Sequence, residues 1–415
     1  MPATGTAVFH IVAGDRIDRP ADLERFERAE TPIAPGLYLE EATDTAHPTV
    51  PDVVHTVGME VFPGPDTVAQ GMRWVEGSPA ALVELPEDQT FAGRPMLADF
   101  AGQLFEVASI EQLPPIPEGK AEVLHRPPTG AAVYDIVLVS EGYATADEPE
   151  FLATARRLSE SFLGIDPYHA CTDKLRITAL FLPSPESGIS ESKCDGAEHP
   201  DKKCPATTKT RKTLFGTRNN VEKICRLIAG SEERVRTALN TQQVLKELSK
   251  NGVSPKLAVV VANTRLYGGA GAADVGKSPL VVWTAPTAMG GAVMAHEMGH
   301  ALGLQDEYEA AGTGLPNSKN WVNISDQKDP SHTPWNCFPR DKDGSVPTCA
   351  HHDPHCVCDP HLIGTFEGAG HAKEGRFRPT KDCAMRTPGG LFCAICAAQI
   401  TNRLSGITEP LCPPH

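Results

Sequence analysis

Two histidines four residues apart, His296 and His300, with Glu297 directly after the first, carry the strongest chemical signal in this chain. On a helix that spacing puts both imidazoles on one face, where they can share a metal ion. Glu297 could then reach a metal-bound water without being a ligand itself. Gly303 closes the helical run and permits a left-handed turn, which would swing Asp306 back as a third ligand. Two nitrogens and one oxygen leave a fourth position open to water, the arrangement of a catalytic rather than a structural zinc. The expectation is one catalytic zinc held by His296, His300 and Asp306, with Glu297 as general base in amide hydrolysis.

Such a site needs a helix beginning near Gly290, fed by a strand over Leu280-Val281-Val282-Trp283. Upstream, Tyr134 to Val139, Leu175 to Leu182 and Lys256 to Ala262 are short apolar runs that read as buried strands. Asp147 to Leu163 and Glu232 to Lys250 carry helical spacing. Strand–helix alternation predicts a mixed or mostly parallel α/β or α+β sheet with helices packed on it, over residues 126–415. The first 125 residues alternate apolar runs with turn residues and predict a small β-sandwich. Among its strands are Ala7 to Val12, Val53 to Val57, Met59 to Phe62 and Ala81 to Leu85. Proline-rich segments at 114–119 and 126–128 read as linker. From about 311 to 382 the periodic pattern dissolves into an insert rich in Pro, Gly, His and Cys.

Composition narrows the function. With 38 basic and 53 acidic residues, the net charge of −15 argues against a nucleic-acid or anionic-membrane partner. The longest uncharged run, Ser278 to Ala295, is broken by prolines and paired glycines, so no membrane span is expected.

Further motifs narrow the reading. Cys383-Ala384-Met385-Arg386, followed by Gly389-Gly390, resembles the methionine turn beneath the metal of the metzincin zinc endopeptidases. Val137 to Tyr143, Pro183 to Gly188, Tyr267-Gly268-Gly269, Asp306-Glu307-Tyr308 and Phe392 to Cys396 are similar to motifs of the IgA-peptidase family of metzincins. The resemblance covers roughly residues 134–400. It implies a secreted zinc endopeptidase with a β-sandwich ahead of the catalytic domain and a protein or peptide substrate. His296, His300 and Asp306 would hold zinc, Glu297 would be the base and Met385 the turn methionine. Tyr267, Gly268 and Gly269 lie in an edge-like segment where substrate could add as an antiparallel strand. Two other readings stay open: a catalytically quiet adhesion protein on the same scaffold, and a zinc hydrolase of non-peptide amides or esters.

All twelve cysteines lie past residue 170, which predicts disulfides in an exported protein. Met1 to Thr4 shows neither a basic nor an apolar leader segment, so any export signal was removed or another route is used. Cys194 with Cys204 is the most local pairing expected. Segments between Cys337 and Cys358 are expected to be tied to the frame around Met385 through Cys383, Cys393 or Cys396. The competing reading joins Cys393 and Cys396 with the His/Cys run 351–361 in a second, structural zinc site. Asp341, Asp343 and Gly344 faintly resemble a calcium loop but lack the remaining ligands. Glu141, after a buried strand, is expected to cap the following loop.

Overall fold

The computed structural model describes residues 6–16, 32–34, 37–40, 52–55, 80–86, 96–100, 103–128, 133–193, 207–220, 225–271, 279–309, 321–338, 348–349 and 362–412. In the N-terminal part the strands are β1 (Thr6–Arg16), β2 (Pro32–Ala34), β3 (Leu37–Glu40), β4 (Asp52–His55), β5 (Ala80–Pro86), β6 (Met96–Phe100) and β7 (Gln103–Leu113). They form one sheet in the order β2-β3-β4-β6-β7-β1-β5. A second sheet facing it, which the expected sandwich requires, is not among the described residues. The strand expected at Met59 to Phe62 lies outside them.

A second sheet holds β8 (Lys120–His125), β9 (Tyr134–Glu141), β10 (Leu175–Phe181), β11 (Leu257–Ala262), β12 (Gly269–Gly271) and β13 (Leu280–Thr284), in the order β12-β13-β11-β9-β10-β8. Its four central strands are parallel, and β8 and β12 close the edges antiparallel. Lys120–His125, on the N-terminal side of the boundary expected at residue 125, pairs with β10 of this sheet. A parallel sheet covered on both faces needs continuous apolar strands, and every residue of Leu257–Ala262 is buried.

Helices α1 (Glu148–Leu163), α4 (Gly290–Ala301) and α5 (Ala394–Leu404) cover one face, packing Phe151, Met294 and Ile400 with Ile136 and Val259. Helices α2 (Glu232–Leu239) and α3 (Gln242–Ser249) cover the other, with Val235 and Leu248 against Val137 and Val260. The single helix expected over Glu232 to Lys250 is thus two. Thr241 adopts an extended backbone (φ −66°, ψ 145°) that no helix can continue through. Helix α4 sits deep because its first turn is bare. A Cβ on Gly290 would stand 2.6 Å from Leu158, and one on Gly291 2.2 Å from Ser161 Oγ, so α1 and α4 approach backbone to side chain.

The described part of 311–382 is more regular than its sequence suggests. It contains β14 (Thr348–Cys349) and a hairpin of β15 (Thr365–Ala369) and β16 (Ala372–Arg378). Exposed Lys373, Glu374 and Gly375 and the glycines of β15 erase the apolar alternation that marks a strand. Among the described residues no helix is long and apolar enough to cross a membrane.

Candidate metal centre and active site

Helix α4 carries His296, Glu297 and His300, all buried, and ends where the chain reverses. Gly303 takes φ +91°, and the amides of Gly303 and Leu304 return to the carbonyls of His300 and Gly299. This is the left-handed exit that the glycine allows. It carries Asp306 back to the histidines. Nε2 of His296 lies 3.1 Å, and Nε2 of His300 3.2 Å, from the same oxygen, Oδ1 of Asp306.

The other ring nitrogens are already committed. Nδ1 of His296 donates to the carbonyl of Ala384 at 2.9 Å, and Nδ1 of His300 to that of Leu304 at 3.0 Å. A carbonyl can only accept, so each neutral ring keeps its lone pair on Nε2, facing Asp306. Lone pairs facing a carboxylate repel unless a cation stands between them. In the protein alone, Nε2 of His300 has no hydrogen-bond partner.

Without a cation, a proton on His296 relieves the same repulsion. Burial would raise Asp306, but the charge of His300 and hydrogen bonds from His296 and His371 hold it well below the usual carboxylate range. Burial pulls His296 down, yet Asp306 and the nearby charge of Glu297 outweigh it and raise the ring above its ordinary value.

Met385 is fully buried under α4 in a tight turn, where the amides of Arg386 and Thr387 both donate to the carbonyl of Cys383. Gly299, one position before His300, makes room for it: a Cβ there would meet Met385 Sδ at 2.6 Å. The same turn supplies the Ala384 carbonyl that orients His296, and the Met385 carbonyl accepts from the amide of Glu307. It braces both ends of the donor set.

The edge segment reaches the site. A Cβ on Gly269 would meet Val293 at 2.7 Å and Glu297 Cγ at 3.4 Å, so β12 runs directly against the glutamate. The adjacent Gly268 is half the reason: a Cβ there would lie 1.9 Å from the carbonyl of Arg226. Leu227 bridges Gly269, so the outer side of that residue is already paired, and Tyr267 is half-buried beside it. Tyr308 and Arg386 have partners of their own. Tyr308 stacks on His371, and Arg386 pairs with Glu309.

His371 is absent from the sequence reading. It sits in the two-residue loop of the β15–β16 hairpin, where Gly370 (φ +55°) and His371 (φ +63°) have the positive φ of a type I′ turn. That is an unusual conformation for a histidine. It lets Nε2 donate to Oδ2 of Asp306 at 2.9 Å, leaving Oδ1 to the other two rings. The only sequence cue is a Gly-His pair between two weak strands.

The expected staples differ from the observed ones. Cys337 is bonded to Cys412, across 75 residues, and not to the frame around Met385. Cys383, Cys393 and Cys396 are unbonded and buried together. Cys225 is disulfide-bonded. Cys194, Cys204, the run 351–361 and the calcium-like Asp341, Asp343 and Gly344 lie outside the described residues. Glu141 caps backbone, but of a distant segment and not of the loop that follows it: its buried carboxylate accepts from the amides of Leu214, Phe215 and Thr217.

Compared with known proteins, residues 124–355, more than half of the chain, match the sequence model of the family described as IgA Peptidase M64. No curated protein matches the chain.

Proposed function

The chain belongs to the IgA peptidase M64 family, a family of metallopeptidases, and from that premise we propose that it is a zinc-dependent endopeptidase of the metzincin type. In this reading His296, His300 and Asp306 hold the metal. The observation that carries it is the convergence of two Nε2 atoms on one oxygen at 3.1 and 3.2 Å. Ligands about 2.0–2.1 Å from a tetrahedral zinc stand about 3.3–3.4 Å apart, so the donors need almost no movement. Three donors also leave one position for water, unlike a closed structural site. Zinc held there supplies a Lewis acid and a water acidified towards ~7.

The remaining chemistry belongs to the chain. Glu297 takes the proton of the attacking water and passes it to the leaving amine, so one carboxylate serves as base and then as acid. Its place between α4 and β12 puts it beside any peptide that lies along that edge. Substrate main chain is read as pairing with β12 beyond Gly269, whose own outer side Leu227 takes; Tyr267, expected in the same role, lies before that bridge. The Met385 turn keeps the His296 ring fixed through the Ala384 carbonyl, which preserves the ligating tautomer. The Cys337–Cys412 and Cys225 disulfides support an exported protein.

Casein or gelatin hydrolysis by the purified protein tests this reading. Hydrolysis should stop with a chelator and return with zinc. Hydrolysis indifferent to the chelator, or turnover of small esters with none of proteins, would contradict it.

A further inference from the structure

Asp306 and Glu307 are neighbours that face opposite ways. Asp306 turns to the histidines, whereas Glu307 turns into a second pocket walled by Cys383, Cys393 and Cys396. All four groups are buried, and one oxygen or sulfur atom from each lies within 4.8 Å of the others. The three cysteines come from two places only: Cys383 opens the methionine turn, and Cys393 and Cys396 form the first turn of α5.

Backbone amides are aimed at these sulfurs. The amides of Met385 and Cys393 donate to Cys383 Sγ at 3.5 and 3.3 Å, and that of Cys396 donates to Cys393 Sγ at 3.5 Å. Such donors suit thiolates, since an apolar thiol has little use for them. Glu307 adds a second sign. Its Oε1 accepts from Asn323 at 3.0 Å and faces Cys396 Sγ at 3.1 Å, but Oε2 is buried with no hydrogen-bond partner. A buried carboxylate oxygen left bare is costly and calls for a cation.

A disulfide does not resolve this arrangement. It would consume two of the three sulfurs and leave the third, together with Glu307, unsatisfied. A tetrahedral zinc would use all four donors. With Zn–S near 2.3 Å its sulfurs stand about 3.8 Å apart, a small contraction from the observed cluster. Thiolate ligands select zinc over calcium or magnesium, which require oxygen.

We propose that Cys383, Cys393, Cys396 and Glu307 bind a second zinc ion in a closed, structural site behind the methionine turn. Four protein donors leave no position for water, so this metal does no hydrolysis. Its work is mechanical: it fastens the chain after α4, the methionine turn and the start of α5 to one point. Because the Ala384 carbonyl that orients His296 belongs to that turn, the second metal fixes the geometry of the first site from behind. The assignment uses none of the donors of the proposed catalytic site.

The test is zinc per chain in the full-length protein, purified without a chelator, combined with a thiol-directed mercurial. The wild type should hold two zinc ions, of which the mercurial releases one as it modifies Cys383, Cys393 and Cys396. The doubly substituted His296→Ala/His300→Ala protein should retain one, and cobalt in its place should show a sulfur-to-metal charge-transfer band. One zinc in the wild type and none in the double variant would overturn the second site while leaving the catalytic reading standing. One zinc that only the mercurial removes would do the reverse. A mapped disulfide among Cys383, Cys393 and Cys396 in the unreduced wild type, which needs no variant to fold, would also overturn it.

Discussion

On one side of the Asp306–Glu307 peptide lie two imidazoles and a carboxylate; on the other lie three thiols and a carboxylate. The two clusters share a wall, the turn around Met385, yet they differ in ways that decide what each can do. The first has three donors beside an edge strand and a second carboxylate, Glu297, proposed to act without ligating. The second has four donors, no opening and backbone amides on its sulfurs. Donor count and access separate chemistry from scaffolding here. The His296 imidazole is oriented by the Ala384 carbonyl of the shared turn, so in the proposed reading the thiol cluster helps to hold the first site in register.

The C-terminal wall also has a covalent tether, and breaking it separates bond from metal. Cys337→Ser opens the 75-residue loop closed with Cys412. Chain entropy puts that closure at about 4.5 kcal/mol, so thermal unfolding should move sharply downward. Zinc content of both clusters, measured below the new transition, should not change. Loss of metal from the thiol cluster in this variant would mean that the disulfide, and not the metal, shapes that wall.

Asp306→Ala should affect only the imidazole side. Removing a direct ligand costs more than the 10–100-fold typical of outer contacts, so zinc affinity there should fall by more than ~100-fold and hydrolysis with it. Metal analysis before and after mercurial treatment reads the two sites separately. His371→Ala is milder, since it frees only Oδ2 of Asp306, and should weaken the same zinc by ~10–100-fold. Competition with a coloured chelator measures it. An effect below twofold would make His371 a hairpin residue and nothing more.

The smallest effect concerns pH. In zinc-stripped protein His296 is raised above its ordinary 6.5 by Asp306. A raised base stabilises the fold fully below 6.5 and loses that contribution as pH rises through the higher folded value. Asp306, held well below its ordinary 3.8, stays ionised across that window and does not contribute. Stripped protein should therefore become less stable as pH rises past 6.5, and zinc should compete best where the proton has left. Calorimetry of both forms across that range checks the sign.

Local signals made much of this legible beforehand. Continuous apolar runs announce the central strands, because a parallel sheet covered on both faces cannot alternate. The i, i+4 histidines and Gly303 specify a helix and its exit within ten residues. What escaped depends on distant partners. His371 reaches Asp306 only because a hairpin 65 residues later folds back on it, and its strands lack the apolar alternation that would announce them. Counting cysteines suggested bonds to Cys383, Cys393 and Cys396. Whether sulfurs pair or gather around an ion depends on which backbone amides and carboxylates meet them, and sequence spacing carries no record of that. The break at Thr241 escaped for a smaller reason, since the apolar spacing continues across it.

The central claim, that Glu297 activates water beside a metal it does not bind, is tested most directly by one variant. Glu297→Gln should keep zinc at the His296, His300 and Asp306 site at the wild-type level, while turnover of a peptide the parent cleaves falls by at least ~100-fold, the usual low end for loss of a general base. Near wild-type turnover in a zinc-loaded Glu297→Gln protein would contradict the account.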